Sequence, residues 1–186
     1  MTTAIVPGSL GAMAQGAGTS LAEAFLGADV LVLVDVSGSM ATPDSRGGQR
    51  RYDVACSELR KLQAEMPGKV GVIAFSGNVE FCPGGVPPLM AGNTDLAAAL
   101  RFAQPADGTV RFIIVSDGEP DAPGEALRVA GTFKSRLDTV YVGPESERGG
   151  ADFLRRLAAA SGGRHVVADR AMDLAAATQG LLAAAR

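Results

Sequence analysis

The sequence has no tryptophan, a single histidine (His165) and two cysteines, Cys56 and Cys82. Two thiols are too few for a disulfide scaffold, and their spacing does not match a Cys/His metal site. Long apolar runs are also missing: charges, Gly or Pro interrupt every stretch before the ~18 residues a membrane helix needs. No excess of basic charge exists. With 20 acidic and 17 basic residues the net charge is −3, which gives no reason to expect nucleic acid as a partner. The first Lys or Arg is Arg46, so the positive region of a secretory signal is absent and a cytoplasmic location is expected.

What remains favours one globular domain. The 186 residues are 47% hydrophobic and 20% charged, enough to bury a sizeable core. Three short, β-branched, continuous apolar runs set the frame: 29–35, 69–75 and 110–115. Such runs read as strands buried on both faces of a parallel sheet. Residues 137–142 and 164–168 look like further strands, and 78–82 like a sixth, joined to its predecessor by a tight hairpin.

Helical patterns fill the gaps. Residues 52–66 put Val54, Ala55, Leu59 and Leu62 on one stripe and stop at Pro67-Gly68. Similar patterns cover 95–103, 124–136, 151–160 and 172–185. Strands alternating with helices predict right-handed crossovers and a three-layer α/β domain over 29–186. Residues 1–28 form an N-terminal extension outside that alternation. Its Ser20-Leu21-Ala22-Glu23 fits a capping box, so a helix over 21–26 is expected, with Leu21, Phe25 and Leu26 available to dock.

The residues that carry chemistry cluster at strand ends. The first strand ends in Asp35-Val36-Ser37-Gly38-Ser39, an Asp-x-Ser-x-Ser that arises by chance in roughly one chain in twenty of this length. In open parallel sheets, ligands bind beyond the carboxyl ends of strands where the strand order reverses. Gly38 is expected to let the backbone bend between the two serines. Gly92-Asn93-Thr94-Asp95 precedes a crossover helix, and Ser116-Asp117-Gly118-Glu119 follows the strand over 110–115. Carboxylates and hydroxyls without nearby His or Cys suit a hard cation. Mg²⁺ fits best, with Mn²⁺ or Ca²⁺ as substitutes, because a few protein oxygens and several waters complete its octahedron at about 2.0–2.1 Å.

In these residues the sequence resembles a von Willebrand factor type A domain with a metal-ion-dependent adhesion site. The family signature is Asp-x-Ser-x-Ser, then Thr, then Asp, and here those positions are Asp35, Ser37, Ser39, Thr94 and Asp117. The words Val-Asp-Val-Ser-Gly-Ser-Met, Gly-Asn-Thr-Asp-Leu and Val-Ser-Asp-Gly-Glu-Pro also match. The resemblance covers 29–186. It implies a Rossmann-like six-stranded sheet of order 3-2-1-4-5-6, strand three antiparallel, helices on both faces and the metal between strands one and four. It further implies that an Asp or Glu of a partner protein completes the metal shell. Bacterial proteins that it resembles often act beside AAA+ ATPases or within multi-protein assemblies that mature, insert metal into or remodel another protein, so the resemblance implies an AAA+ ATPase or its substrate as a candidate partner. The stretch from Phe81 to Gly92 is short and rich in Gly and Pro, so a helix common there in the family is expected to be missing.

Other residues are secondary. Asp95 is expected to favour the start of its helix more than to touch metal, and Glu119 is a candidate acceptor beside the site. Arg46, Arg50 and Arg51 are candidates for a positive rim. An enzyme is not expected. The second Asp of a haloacid-dehalogenase-like phosphatase is replaced by Ser37, and no Gly-x-Ser-x-Gly elbow, dinucleotide fingerprint or phosphate loop occurs. Two alternatives stand beside the interaction module: a structural subunit with a stabilising metal, tethered by residues 1–28, and a metal-dependent phosphoesterase.

Overall fold

The computed structural model describes residues 5–89, 91–144 and 146–167, without the side chain of Arg46. The helix expected over 172–185 lies outside the described residues. In chain order the elements are α1 (Leu10–Ala17), α2 (Leu21–Leu26), β1 (Val30–Asp35), α3 (Arg51–Glu65), β2 (Val70–Phe75) and β3 (Val79–Phe81). They continue with α4 (Leu96–Ala103), β4 (Arg111–Ser116), α5 (Pro123–Ala130), β5 (Leu137–Tyr141), α6 (Arg148–Ala160) and β6 (His165–Val167). Short 3-10 turns occupy Gly38–Ala41, Arg46–Gly48 and Gln104–Ala106.

The strands form one sheet of order β3-β2-β1-β4-β5-β6. All pairings are parallel except β2 with β3. β1 therefore lies between β2 and β4, where the strand order reverses, and its end opens onto the crevice that the switch-point rule favours.

Every residue of β1 and β2 is buried. Side chains alternate across the sheet: Leu31 and Leu33 pack with α4, α5 and α6, while Val30, Val32 and Val34 pack with Val54, Ala55, Leu59 and Leu62 of α3. Burying a side chain of this size contributes about 1.5–3 kcal/mol, so the two layers clamp β1 and fix where Asp35 emerges.

Several boundaries moved for identifiable reasons. The helix expected over 124–136 ends at Ala130 with Gly131 as its C-cap. Beyond it the Asp107 carboxylate accepts the amides of Lys134 and Ser135 (2.9 and 2.8 Å), drawing the chain out of helical geometry. Phe133 turns back to meet Phe112 edge-on at 5.2 Å. The helix expected to start at 151 starts at Arg148. Among the described residues 82–95 no helix occurs, as the short Gly/Pro-rich stretch predicts.

Residues 5–28 hold two helices rather than the expected one. The capping box of α2 is formed by Ser20 and Glu23; α1 was not foreseen. Backbone bonds tie this segment down, from Val6 N to Gly84 O (2.9 Å), Gly11 N to Pro83 O (2.8 Å) and Gly68 N to Gly8 O (2.9 Å). Phe25 docks as expected, edge-on to Phe81 at 5.3 Å. Leu21 and Leu26 do not dock fully; Leu26 is 84% exposed. Cys56 and Cys82 are both buried and free. No helix among the described residues is long and apolar enough to cross a membrane.

Candidate metal centre

Three loops meet at the carboxyl ends of β1 and β4. The first begins with Asp35, whose side chain is fully buried. Its Oδ1 accepts the Ser37 amide at 2.9 Å, and its Oδ2 accepts the Ser116 hydroxyl at 2.7 Å. Both carboxylate oxygens are thus held. The Ser37 and Ser39 hydroxyls lie 3.2 Å apart, the first buried, so the Asp-x-Ser-x-Ser spacing brings the two oxygens together.

The second loop carries Thr94, which is buried. Its amide donates to Asp121 Oδ2 at 3.0 Å, and its carbonyl accepts the Asp121 amide at 3.1 Å. Gly38 N also donates to Gly92 O at 3.3 Å. These bonds join the loop before α4 to those after β1 and β4. Asp95 caps α4, accepting the Ala98 amide at 2.9 Å, and its own amide is bound by Ser76 O.

The third loop presents Asp117, whose side chain is 0% exposed. A close backbone crossing sets its position. A Cβ added at Gly118, where φ is +76°, would lie 2.2 Å from Gly150 O, and one at Gly150 would lie 1.9 Å from Asp117 O. Only paired glycines let α6 approach this turn.

Gly38 needs no such freedom. It is not among the glycines with positive φ, and a Cβ there would make an ordinary 3.9 Å contact with Gly92. The expectation that the bend between the serines depends on glycine is therefore corrected: the 3-10 turn from Gly38 supplies the bend in ordinary backbone geometry.

The positive rim is also corrected. Arg51 is not at the surface; it is 4% exposed and donates to Asp117 Oδ2 at 2.9 Å. Arg50 is spent on Asp53 through two bonds of 2.7 and 2.9 Å. The Arg46 side chain lies outside the described residues. Glu119 is exposed beside the site, its pKa raised by partial burial and by Asp117. Sequence reasoning missed Ser116, Asp121, Asp44 and Glu147. Ser116 and Asp121 were within reach, since each lies within four residues of Asp117; Asp44 and Glu147 carry no local signal.

The electrostatics favour a cation. Burial, and then the neighbouring Asp117, push the Asp35 carboxyl up to about 6, against the hydrogen bonds from Ser37 and Ser116 that pull it down. Two buried carboxylates that oppose each other's charge gain most from a positive ion between them. Among the described residues no three His, Cys, Asp or Glu side chains gather as a metal site. A metal here would rely on hydroxyls, and the donor set of carboxylate and hydroxyl oxygens fits a hard dication.

No family model and no curated protein matches the sequence. Solved structures do. The chain is similar to the manganese-loaded TRAP protein of Plasmodium vivax, with TM-score 0.55 and 20% identity over 71% of this chain and 62% of that one. It is also similar to three N-terminal domains of the type V pili tip protein Mfa5 from Porphyromonas gingivalis, with TM-score 0.57 and 12% identity over 85% and 48%. A third likeness is to proximal thread matrix protein 1 of the mussel byssus, with TM-score 0.51 and 13% identity over 76% and 41%. The fold is von Willebrand factor A-like. This chain covers less than two thirds of each of those chains, and identities this low speak to the fold alone.

Proposed function

We propose that this chain is a protein-interaction module that works through a divalent cation. Asp35, Ser37, Ser39, Thr94 and Asp117 hold the ion, Mg²⁺ first and Mn²⁺ or Ca²⁺ as substitutes. A carboxylate of a partner protein takes the remaining position. The observation that carries this reading is that two buried carboxylates, Asp35 and Asp117, act on each other's charge at the switch point of the sheet, where the Ser37 and Ser39 hydroxyls beside Asp35 lie 3.2 Å apart.

The ion's contribution is a Lewis-acidic position that an Asp or Glu side chain can enter. The chain's own residues decide how strong that position is. Ser37, Ser39 and Thr94 donate neutral oxygens, so they add ligands without cancelling charge. Asp35 is fixed by Ser37 and Ser116. Asp117 already gives one oxygen to Arg51, which limits the negative charge it offers. A dication held this way keeps excess positive charge for an outside carboxylate. That the TRAP protein was solved with manganese supports a divalent ion in a fold of this kind. The partner we infer is a protein that presents an Asp or Glu carboxylate, with an AAA+ ATPase or its substrate as one candidate.

The test uses Mn²⁺ as ion and spin probe. Water-proton relaxation by protein-bound Mn²⁺ should fall when a Glu-containing peptide displaces bound water, and an otherwise identical Gln peptide should leave it unchanged. Equal effects of the two peptides would contradict the reading.

A further inference from the structure

Arg51 projects from the first turn of α3 with its side chain 5% exposed. Its guanidinium reaches three carboxylates from three different segments. Nη1 donates to Asp117 Oδ2 at 2.9 Å, and Nε and Nη2 form a fork on Asp44 at 2.8 and 2.7 Å. Nη2 also reaches Glu147 Oε2 at 3.0 Å. The partners lie 7, 66 and 96 residues away in sequence.

An ordinary structural ion pair matches one charge with one. Here a single guanidinium faces Asp44, Asp117 and Glu147, and Asp117 in turn acts on the charge of Asp35. Asp117 Oδ2 is occupied by Arg51, while the described hydrogen bond to its Oδ1 is a long 3.4 Å contact from the Glu119 amide. The two oxygens of one carboxylate are therefore divided, one turned to a fixed internal cation and one left for another positive group.

We propose that Arg51 is a built-in cation that sets the metal affinity of this site, a role that rests on the metal-dependent function argued above. Its guanidinium competes with the ion for Asp117 and repels it directly. Asp44 and Glu147 set how much of that charge is felt, because each neutralises part of the guanidinium away from the metal position. Arg51 also keeps Asp117 from being buried unpaired beside Asp35, so the metal-free protein folds. The result is a weakened, reversible metal site in which the ion retains positive charge for its external ligand.

The two sides of this balance move in opposite directions. Arg51→Gln removes the competing charge, so Mn²⁺ should bind about tenfold tighter. The metal-free protein should melt lower, widening the gap between metal-free and metal-loaded melts. Asp44→Asn removes a counter-charge from the guanidinium without touching any of the five metal-binding candidates. Mn²⁺ should then bind about threefold more weakly. Arg51→Lys keeps the charge and should stay near the wild-type Kd.

The experiment is calorimetric titration of Mn²⁺ into the full chain and these variants at pH 8, with thermal melts in chelator and in Mn²⁺. Tighter binding by Arg51→Gln with weaker binding by Asp44→Asn supports the proposal. A Kd for Arg51→Gln equal to or weaker than wild type overturns it. If Arg51→Gln fails to fold, Asp44→Asn decides alone: weaker binding supports the role and an unchanged or tighter Kd overturns it. Absence of Mn²⁺ binding by the wild type would instead overturn the metal-dependent function itself, and this inference with it.

Discussion

The Ser116 hydroxyl donates to Asp35 Oδ2 at 2.7 Å across 81 positions of sequence. Both residues are fully buried, at the adjacent ends of β4 and β1. The bond fixes the rotamer of Asp35 and favours its ionised form.

Replacing Ser116 by Ala should therefore act on both stability and metal binding. A buried acceptor loses its partner, which costs about 1–3 kcal/mol. The Asp35 carboxyl should titrate still higher, and Mn²⁺ affinity should fall at neutral pH by about tenfold for each unit of that rise beyond neutrality. Chemical denaturation and calorimetric titration check the two effects separately. A variant that binds Mn²⁺ like wild type would show that Ser116 does not orient Asp35.

The pH dependence of the metal-free protein follows from the same carboxylate. Asp35 is raised from 3.8 to about 6 on folding, first by burial and then by Asp117. Between those values the folded protein holds a proton that the unfolded chain has released. Metal-free stability should thus fall as pH rises from about 4 to about 6, by about 3 kcal/mol from this group. A cation needs the ionised form, so the metal-induced rise in melting temperature should be full at pH 8 and shrink below about pH 6. Melts across pH in chelator and in millimolar Mg²⁺ measure both trends. A metal increment that stays constant from pH 5 to pH 8 would contradict them.

The crossing of Gly118 and Gly150 predicts a second kind of sensitivity. Either residue changed to Ala places a Cβ inside backbone atoms of the other turn. Each should cost about 2–4 kcal/mol and weaken metal binding, since Asp117 rides on that turn. Gly124, in α5, has nothing within 4 Å of the corresponding Cβ; Gly124→Ala should change stability by less than about 1 kcal/mol. Denaturation midpoints compare the three. Equal effects would show that the crossing is not tight in solution.

Much of the sheet was legible because its determinants are local. Continuous β-branched runs such as Val30–Val34 declare buried strands, and the stripe of Val54, Ala55, Leu59 and Leu62 declares the buried face of α3. The capping box at Ser20 declares α2. What stayed hidden depends on distant partners. Asp107 holds the chain after α5 in a non-helical path only because the fold brings it to Lys134 and Ser135. Arg51 reads as a surface charge until Asp117, 66 residues on, is folded against it. α1 was missed because its alanines and glycines, in a short segment, carry little periodic signal. The site shows the same division: Asp35, Ser37 and Ser39 announce themselves by spacing, whereas the convergence of Asp44 and Glu147 on Arg51 arises only in three dimensions.

Anomalous diffraction from a crystal grown with Mn²⁺ tests the central claim most directly. The account predicts a single strong manganese peak at the β1–β4 crevice, within bonding distance of oxygens from Ser37 and Ser39 and held by Asp35, Thr94 and Asp117 directly or through water. The peak should disappear in Asp35→Asn. A peak elsewhere, or no peak beside Ser37 and Ser39 at millimolar Mn²⁺, would contradict the account.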